Sequence, residues 1–131
     1  MIVVDASALV AILLDEPEAD PFLEFLLARP GGALSPIGYW EAATRLRSVG
    51  GDVGVSELDV VIDRLRIVIA PATERTTRVA CGAERAFGKR RPAKLNLGDC
   101  FAYALAKELD APLLYKGDDF SRTDITPALP A

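Results

Sequence analysis

Short apolar runs alternate with longer segments of helical spacing along this chain. The apolar runs at residues 1–4, 33–35, 67–70 and 111–119 predict strands, and the last run ends in two acids. A further small edge strand is predicted at 124–126. Strands that are nearly continuous in apolar residues and alternate with helices are typical of a parallel sheet covered on both faces. The pattern therefore predicts a doubly wound α/β fold that forms one domain over residues 1–131.

Helices are predicted between these strands. The spacing indicates helices at 7–14 and 15–29, and Ser35 followed by Pro36 is a cap that opens a helix to about Val49. The segment GGDVG ends that helix, and a new one starts at Ser56. Another helix covers 73–87, and Asn96 caps the helix of LNLGDCFAYALAK at 95–107. One face of this last helix carries four apolar side chains, opposite Asp99: Leu97, Phe101, Leu105 and Leu109.

Composition restricts the chemistry. The chain has no histidine, which excludes imidazole bases and histidine-rich zinc sites, and its two cysteines, Cys81 and Cys100, form no C-x-x-C pair. With 19 acidic and 15 basic residues the formal charge is −4, which argues against coating of nucleic acid by bulk electrostatics but not against a local basic patch. No signal peptide or membrane-length apolar run is seen, so a cytoplasmic protein is expected. Any proton or metal chemistry must use carboxylates.

Several carboxylates fall where the predicted strands end. Asp5 follows the first strand, Asp118 and Asp119 follow the fourth, and Asp99 and Glu41 lie in early turns of helices. In an open parallel sheet, functional groups gather beyond the carboxyl ends of the strands. Taken singly, each acid also fits a structural role as a cap, a first-turn acid, a surface side chain or part of a turn. Taken together, they predict one acidic site.

A cluster of this kind requires a cation. Two unit charges about 4 Å apart repel by about 4 kcal/mol at an effective dielectric constant near 20. Hard oxygen ligands suit Mg²⁺ or Mn²⁺, which points to phosphoryl chemistry. The loop GKRRPAKLN just before Asp99 places Lys89, Arg90, Arg91 and Lys94 where they can contact a nucleic-acid backbone, although a solvated surface loop explains them equally well.

Four segments together carry a family likeness. MIVVDASALVAIL, SPIGYWEAATRL, LNLGDCFAYALAK and LLYKGDDFSRTDI resemble, in this order, a PIN-domain ribonuclease of the VapC toxin type. The resemblance implies a three-layer α/β/α fold with a central twisted parallel sheet, and cleavage of RNA with Mg²⁺ or Mn²⁺. It implies an acidic quartet of Asp5, Glu41, Asp99 and Asp118. Asp5 and Asp99 are then the main metal ligands, and the other two complete the site or position water.

The fourth acid has two further candidates, Asp119 and Asp124. The resemblance also implies a homodimer, an RNA substrate and a cognate VapB-type antitoxin.

The alternative to a ribonuclease is a catalytically silent module that holds a basic partner segment on the acidic rim. A phosphoacceptor signalling domain fits less well, because such domains carry paired acids after the first strand, whereas Asp5 is followed by Ala6 and Ser7.

Overall fold

A four-stranded parallel sheet forms the centre of the molecule. The computed structural model describes residues 1–129. The strands are short and stand in the order β3-β2-β1-β4, every neighbouring pair being parallel. Their bounds are β1 (Val3–Val4), β2 (Ala33–Leu34), β3 (Val68–Ile69) and β4 (Leu113–Leu114). The predicted parallel α/β architecture is confirmed.

Five helices connect and flank the strands. They are α1 (Ala6–Leu13), α2 (Ala19–Ala28), α3 (Pro36–Arg64), α4 (Glu74–Phe87) and α5 (Leu97–Leu109), and a 3-10 turn follows β4 at Phe120–Arg122. The helix starts predicted at the caps Ser35 and Asn96 are confirmed, since each side chain accepts a hydrogen bond from a backbone N–H of the first turn. Helix α2 begins four residues later than predicted, because Pro17 lies in a turn that precedes it.

Alternating side chains of the strands divide the interior into two cores. Val4, Leu34 and Leu114 pack with α1, α2 and α3 on one face of the sheet. Val3 and Leu113 pack with α4 and α5 on the other. Because successive strand residues point to opposite faces, two apolar residues per strand suffice to fill both cores. The result is the predicted three-layer arrangement, with every β1, β2 and β4 side chain buried.

Helix α3 folds back on itself at one glycine. Gly51 has φ +65° and ψ −158°, which breaks the helix between two arms. The Tyr39 hydroxyl donates to Asp59 at 2.7 Å, so the arms lie side by side. They pack so closely that a Cβ on Gly54 would come within 2.6 Å of the Leu46 carbonyl oxygen. The break at GGDVG is thus confirmed, but the second arm resumes directly after Gly51 and not at Ser56.

Two other sequence-based predictions need correction. The small strand predicted at 124–126 is replaced by one parallel bridge between Leu113 and Pro127, a few residues later. On α5, Leu97 and Leu109 are exposed at 68% and 39%, whereas Tyr103 on the opposite side is buried. The helix lies between the sheet, α4 and α3, so nearly all of its middle is covered and no single stripe defines its core face. Within residues 1–129, every helix is too short or too polar to cross a membrane.

Candidate active site

Asp5 stands at the junction of β1 and α1. Its backbone N–H extends the sheet by donating to the Leu114 carbonyl at 2.9 Å, and its side chain caps α1. One carboxylate oxygen of Asp5 accepts from the Ser7 N–H at 3.1 Å and from the Ser7 hydroxyl at 2.5 Å. The Ser7 hydroxyl in turn accepts from the Lys116 N–H at 3.0 Å. Ser7 therefore ties the carboxylate beyond β1 to the segment beyond β4.

Glu41 reaches the same place from α3. It lies in the second turn of that helix, which Ser35 and Pro36 start at the end of β2. Its half-buried carboxylate rests against the first turn of α5 at Gly98, where an added Cβ would overlap both carboxylate oxygens. Only glycine leaves room for this approach.

Asp99 is fixed by the start of α5. The Asn96 side chain accepts from the Asp99 N–H at 2.8 Å, and the Asp99 carboxylate accepts from the Asn96 N–H at 3.0 Å. This reciprocal pair is a capping box, which satisfies two backbone donors at the helix start. It occupies one carboxylate oxygen of Asp99 and holds the side chain in a defined orientation at the rim.

The three acids line one open cavity of about 420 Å³ together with Ser7 and Asn96. Burial, and then the charges of Asp5 and Asp99, raise the pKa of Glu41 to about 7. Burial also raises the pKa of Asp99 to about 6, opposed by its hydrogen bond from Asn96 and reinforced by the charge of Asp5. The pKa of Asp5 is raised by burial and opposed by the hydrogen bonds from Ser7. The structure thus brings the three sequence-predicted acids into mutual repulsion.

The acids after β4 differ in their relation to this cavity. The charge of Asp119 contributes to the raised pKa of both Asp5 and Asp99. The charge of Asp118 acts instead on the Tyr115 hydroxyl, whose pKa is raised mainly by burial. Asp124 is engaged elsewhere, since it accepts from the Tyr103 hydroxyl at 2.7 Å and from the Lys107 ammonium at 2.8 Å. None of the three candidates for the fourth acid is among the residues that line the cavity, and Asp119 is the one whose charge acts on both Asp5 and Asp99.

Besides the apolar Ala6 and Val10, five residues of the site were not predicted from the sequence: Ser7, Glu16, Arg45, Gly98 and Lys116. Lys116 lies 3.3 Å from Glu16, which lines the same cavity, and 3.4 Å from Glu18, so these two acids already pair with its charge. The spacing of Ser7 two residues after Asp5, and of Gly98 directly before Asp99, was visible. Their contacts with the site depend on the approach of β4 and α3, which the local sequence does not reveal.

The donor set fits a hard divalent cation. In the described part of the chain, no lysine or arginine nitrogen lies within 4.0 Å of the carboxylates of Asp5, Glu41 or Asp99. No three acidic or cysteine side chains among residues 1–129 are gathered as a ready three-ligand metal site. Mg²⁺ is commonly bound by one or two carboxylates, with waters and substrate phosphate oxygens completing its shell. Asp5 and Asp99 are the two carboxylates that could hold such an ion.

Comparison with known proteins shows the family to which this chain belongs. The sequence-family model of the PIN domain matches residues 2–125 of this chain. Ribonuclease VapC30 of Mycobacterium tuberculosis is 42% identical over 130 residues, which cover 98% of this chain and 99% of that protein. Ribonuclease VapC of Mycolicibacterium smegmatis is 41% identical over 124 residues, which cover 94% and 96%. The chain belongs to the PIN-domain family and, within it, to the VapC group.

The fold has a solved counterpart. The crystal structure of Mycobacterium tuberculosis VapC20, described as a sarcin-ricin loop cleaving toxin, matches 99% of this chain and 100% of that chain with a TM-score of 0.82. At 14% identity the likeness concerns the fold. It confirms the α/β PIN architecture that the sequence predicted.

Proposed function

We propose that this protein is a toxin of the VapC type, an endoribonuclease that hydrolyses RNA phosphodiester bonds with Mg²⁺ or Mn²⁺. One observation carries the proposal: Asp5, Glu41 and Asp99 arrive from three different elements at one cavity, and their pKa values rise together. Carboxylates that repel one another while no side-chain cation contacts them suit a site for a divalent ion. The family membership of the chain supports RNA as the substrate.

Asp5 and Asp99 would hold the metal, which supplies a more acidic bound water and neutralises charge on the phosphate when present. The chain's own groups define the rest of the reaction. Ser7 fixes the Asp5 carboxylate, and the Asn96 backbone fixes that of Asp99, so both are oriented before substrate arrives. Glu41 stands on the rim to accept a hydrogen bond, and then a proton, from the attacking water. Attack at phosphorus breaks the bond to one ribose oxygen, which takes a proton from solvent water and leaves as a hydroxyl.

Asp119 is the acid that we propose as the fourth member of the site. Its support is electrostatic, since its charge acts on both Asp5 and Asp99. It is exposed and directly precedes the short 3-10 turn, two residues after Gly117, whose φ is +98°. We assign it to water or substrate positioning, because its side chain is less confined than those of the buried rim.

A VapB-type antitoxin is the proposed regulatory partner. An apolar hollow of about 510 Å³ lies between α1 and the second arm of α3, where Leu13, Val53, Val60 and Val61 line its walls. Val53 and Val60 are 67% and 50% exposed, and they lie seven residues apart on one helical face. An amphipathic partner segment can cover this hollow and place a basic side chain at the acidic rim. The homodimer stays a prediction for which light scattering of the purified chain is the test.

Purified protein incubated with total RNA tests the proposal. We expect cleavage with Mn²⁺ or Mg²⁺, none with excess EDTA, and inhibition by the antitoxin encoded beside the toxin. If no RNA pool is cut with either metal while acid-dependent partner binding is intact, the protein is the silent binding module and the enzymatic proposal is wrong. If cleavage proceeds undiminished in EDTA, the metal requirement is wrong.

A further inference from the structure

A larger cavity adjoins the carboxylate site. It has a volume of about 890 Å³ and lies between α4, the loop at 88–96 and the start of α5. We call it the basic groove. The residues that give it its character are Arg85, Lys89, Arg90, Arg91, Leu97 and Phe101.

The cationic side chains of the basic groove form no ion pairs within the described part of the chain. Arg85, Lys89, Arg90 and Arg91 are exposed, and in residues 1–129 none of their nitrogens lies within 4.0 Å of a carboxylate oxygen. Glu84 is the acid among the lining residues, so positive charge predominates there. On a chain of net charge −4, such a local excess provides an attractive surface for a polyanion.

The wall of the groove is apolar. Leu97 is 68% exposed although it opens a well-packed helix, and Phe101 lies one turn further along the same face, half-buried. The apolar stripe that the sequence assigned to the core thus begins in this groove. Nucleic-acid bases stack on aromatic side chains when they are unpaired, and such contacts contribute about 1–3 kcal/mol per base. In a duplex the faces of the bases are covered, so this wall favours a single strand.

The groove borders the candidate active site at one shared residue. Asn96 lines both cavities, and the same residue caps α5 and accepts the Asp99 N–H. A chain lying in the groove therefore passes the start of α5 to reach Asp99.

We propose that the basic groove binds a single-stranded RNA segment next to the bond that is cut, with phosphates at Arg85, Lys89, Arg90 and Arg91 and a base against Leu97 and Phe101. This inference rests on the proposed ribonuclease function and adds the path of the substrate. Cations position the backbone without reading sequence, whereas the apolar wall holds one base beside the carboxylates.

Binding of a fluorescent single-stranded RNA, measured by anisotropy in EDTA, tests the path without cleavage. The test variant replaces Lys89, Arg90 and Arg91 with Ala, and the matched control replaces Arg29, Arg64 and Arg75, three exposed arginines that line neither cavity. We expect the test variant to bind at least about tenfold more weakly. Its salt dependence should fall by about 2 in log–log slope, from about 0.7 per lost contact with a single strand. The control should bind as the parent does.

A cysteine in the basic groove allows a second measurement of RNA binding there. Cys81 is exposed in the lining, whereas Cys100 is buried, so alkylation should label Cys81. Single-stranded RNA is expected to slow this labelling several-fold in the parent and in the control, but not in the Lys89, Arg90 and Arg91 variant. A duplex of the same length should protect less.

The outcomes separate this inference from the proposed function. If the parent cuts RNA and the test variant binds, cuts and protects Cys81 as the parent does, the groove assignment is wrong and the function stands. If the parent binds no RNA, the groove assignment is also wrong. If RNA binding follows the groove charges but no metal yields cleavage, the groove stands and the enzymatic proposal is wrong. Protection of Cys81 by the antitoxin or by self-association alone, without RNA protection, also contradicts the inference.

Discussion

The Glu41 carboxylate lies against the backbone of Gly98, in space that any side chain on Gly98 would occupy. This contact joins α3 to the first turn of α5, the turn that carries Asp99. The glycine is thus a condition for the geometry of the site, although it carries no functional group.

Replacement of Gly98 with Ala should therefore reduce RNA cleavage without unfolding the protein. Alanine favours helix over glycine by about 1 kcal/mol, but its Cβ displaces the Glu41 carboxylate. A displacement of about 1 Å at a reacting group can cost on the order of 100-fold in rate. Gly82→Ala in α4, where a Cβ meets nothing within 4 Å, is the control and should keep parental activity. Cleavage rates and thermal melts of both variants are the measurements.

A double variant shows whether Glu41 mediates the effect. Gly98→Ala added to Glu41→Ala should cause little further loss, because the displaced carboxylate is already gone. Full additivity of the two losses would mean that Gly98 acts in another way.

Loss of the Ser7 hydroxyl should weaken both activity and metal binding. Ser7→Ala removes the hydroxyl that bridges the Asp5 carboxylate and the Lys116 N–H. Groups that orient a metal ligand commonly contribute about 10–100-fold to metal affinity or activity. Ser7→Thr keeps a hydroxyl and should restore most of the loss. Mn²⁺ titration by calorimetry, beside the cleavage rate, distinguishes this from a general loss of fold; unchanged Mn²⁺ affinity in Ser7→Ala contradicts the positioning role.

The metal-free protein should lose stability as the pH rises through the range in which Glu41 ionises. Burial and the charges of Asp5 and Asp99 raise the pKa of Glu41 from 4.5 to about 7 in the folded state. Between those values the folded protein binds more protons than the unfolded chain, so its free energy of unfolding falls as pH increases. Glu41→Gln should flatten this dependence and raise the melting temperature at pH 8. Melts in EDTA from pH 5 to pH 8 measure it, and a parent that is equally stable at both ends contradicts the assignment.

The three acids beyond β4 should behave differently when neutralised. Asp119→Asn should lower cleavage by about tenfold or more, whereas Asp118→Asn and Asp124→Asn should have little effect on it, since only the charge of Asp119 acts on both Asp5 and Asp99. Asp124→Asn should instead lower stability by about 1 kcal/mol, because it weakens the contacts with Tyr103 and Lys107. Cleavage rates and thermal melts of the three variants are the measurements, and a larger loss of cleavage for Asp118→Asn than for Asp119→Asn would make Asp118 the fourth acid.

Much of the candidate site could be predicted from the sequence because helix and strand ends are marked locally. Asp5 follows an apolar run, and the caps Ser35 and Asn96 fix where the helices that carry Glu41 and Asp99 begin. In a parallel sheet those ends fall on one side, so the three acids meet.

The remainder depends on tertiary packing. The backbone beyond β4 takes a left-handed conformation at Gly117, with φ of +98°, and the pattern of apolar residues does not predict how this segment then orients Asp118 and Asp119. The exposure of Leu97 likewise follows from how α5 packs against the rest of the protein, whereas periodicity alone places that side chain in the core. The close approach of the two arms of α3 at Gly54 is a further case, since its partner Leu46 lies across the break at Gly51.

The most direct test of the account is the rate at which Asp99→Asn cuts a defined single-stranded RNA with Mn²⁺, compared with the parent under the same conditions. Asparagine keeps the size of the side chain and an oxygen that accepts from the Asn96 N–H, so the capping box and the fold should survive. The account predicts a loss on the order of 100-fold or more, with weaker Mn²⁺ binding, because one of two ligating charges is gone. Cleavage and Mn²⁺ affinity equal to those of the parent would contradict it.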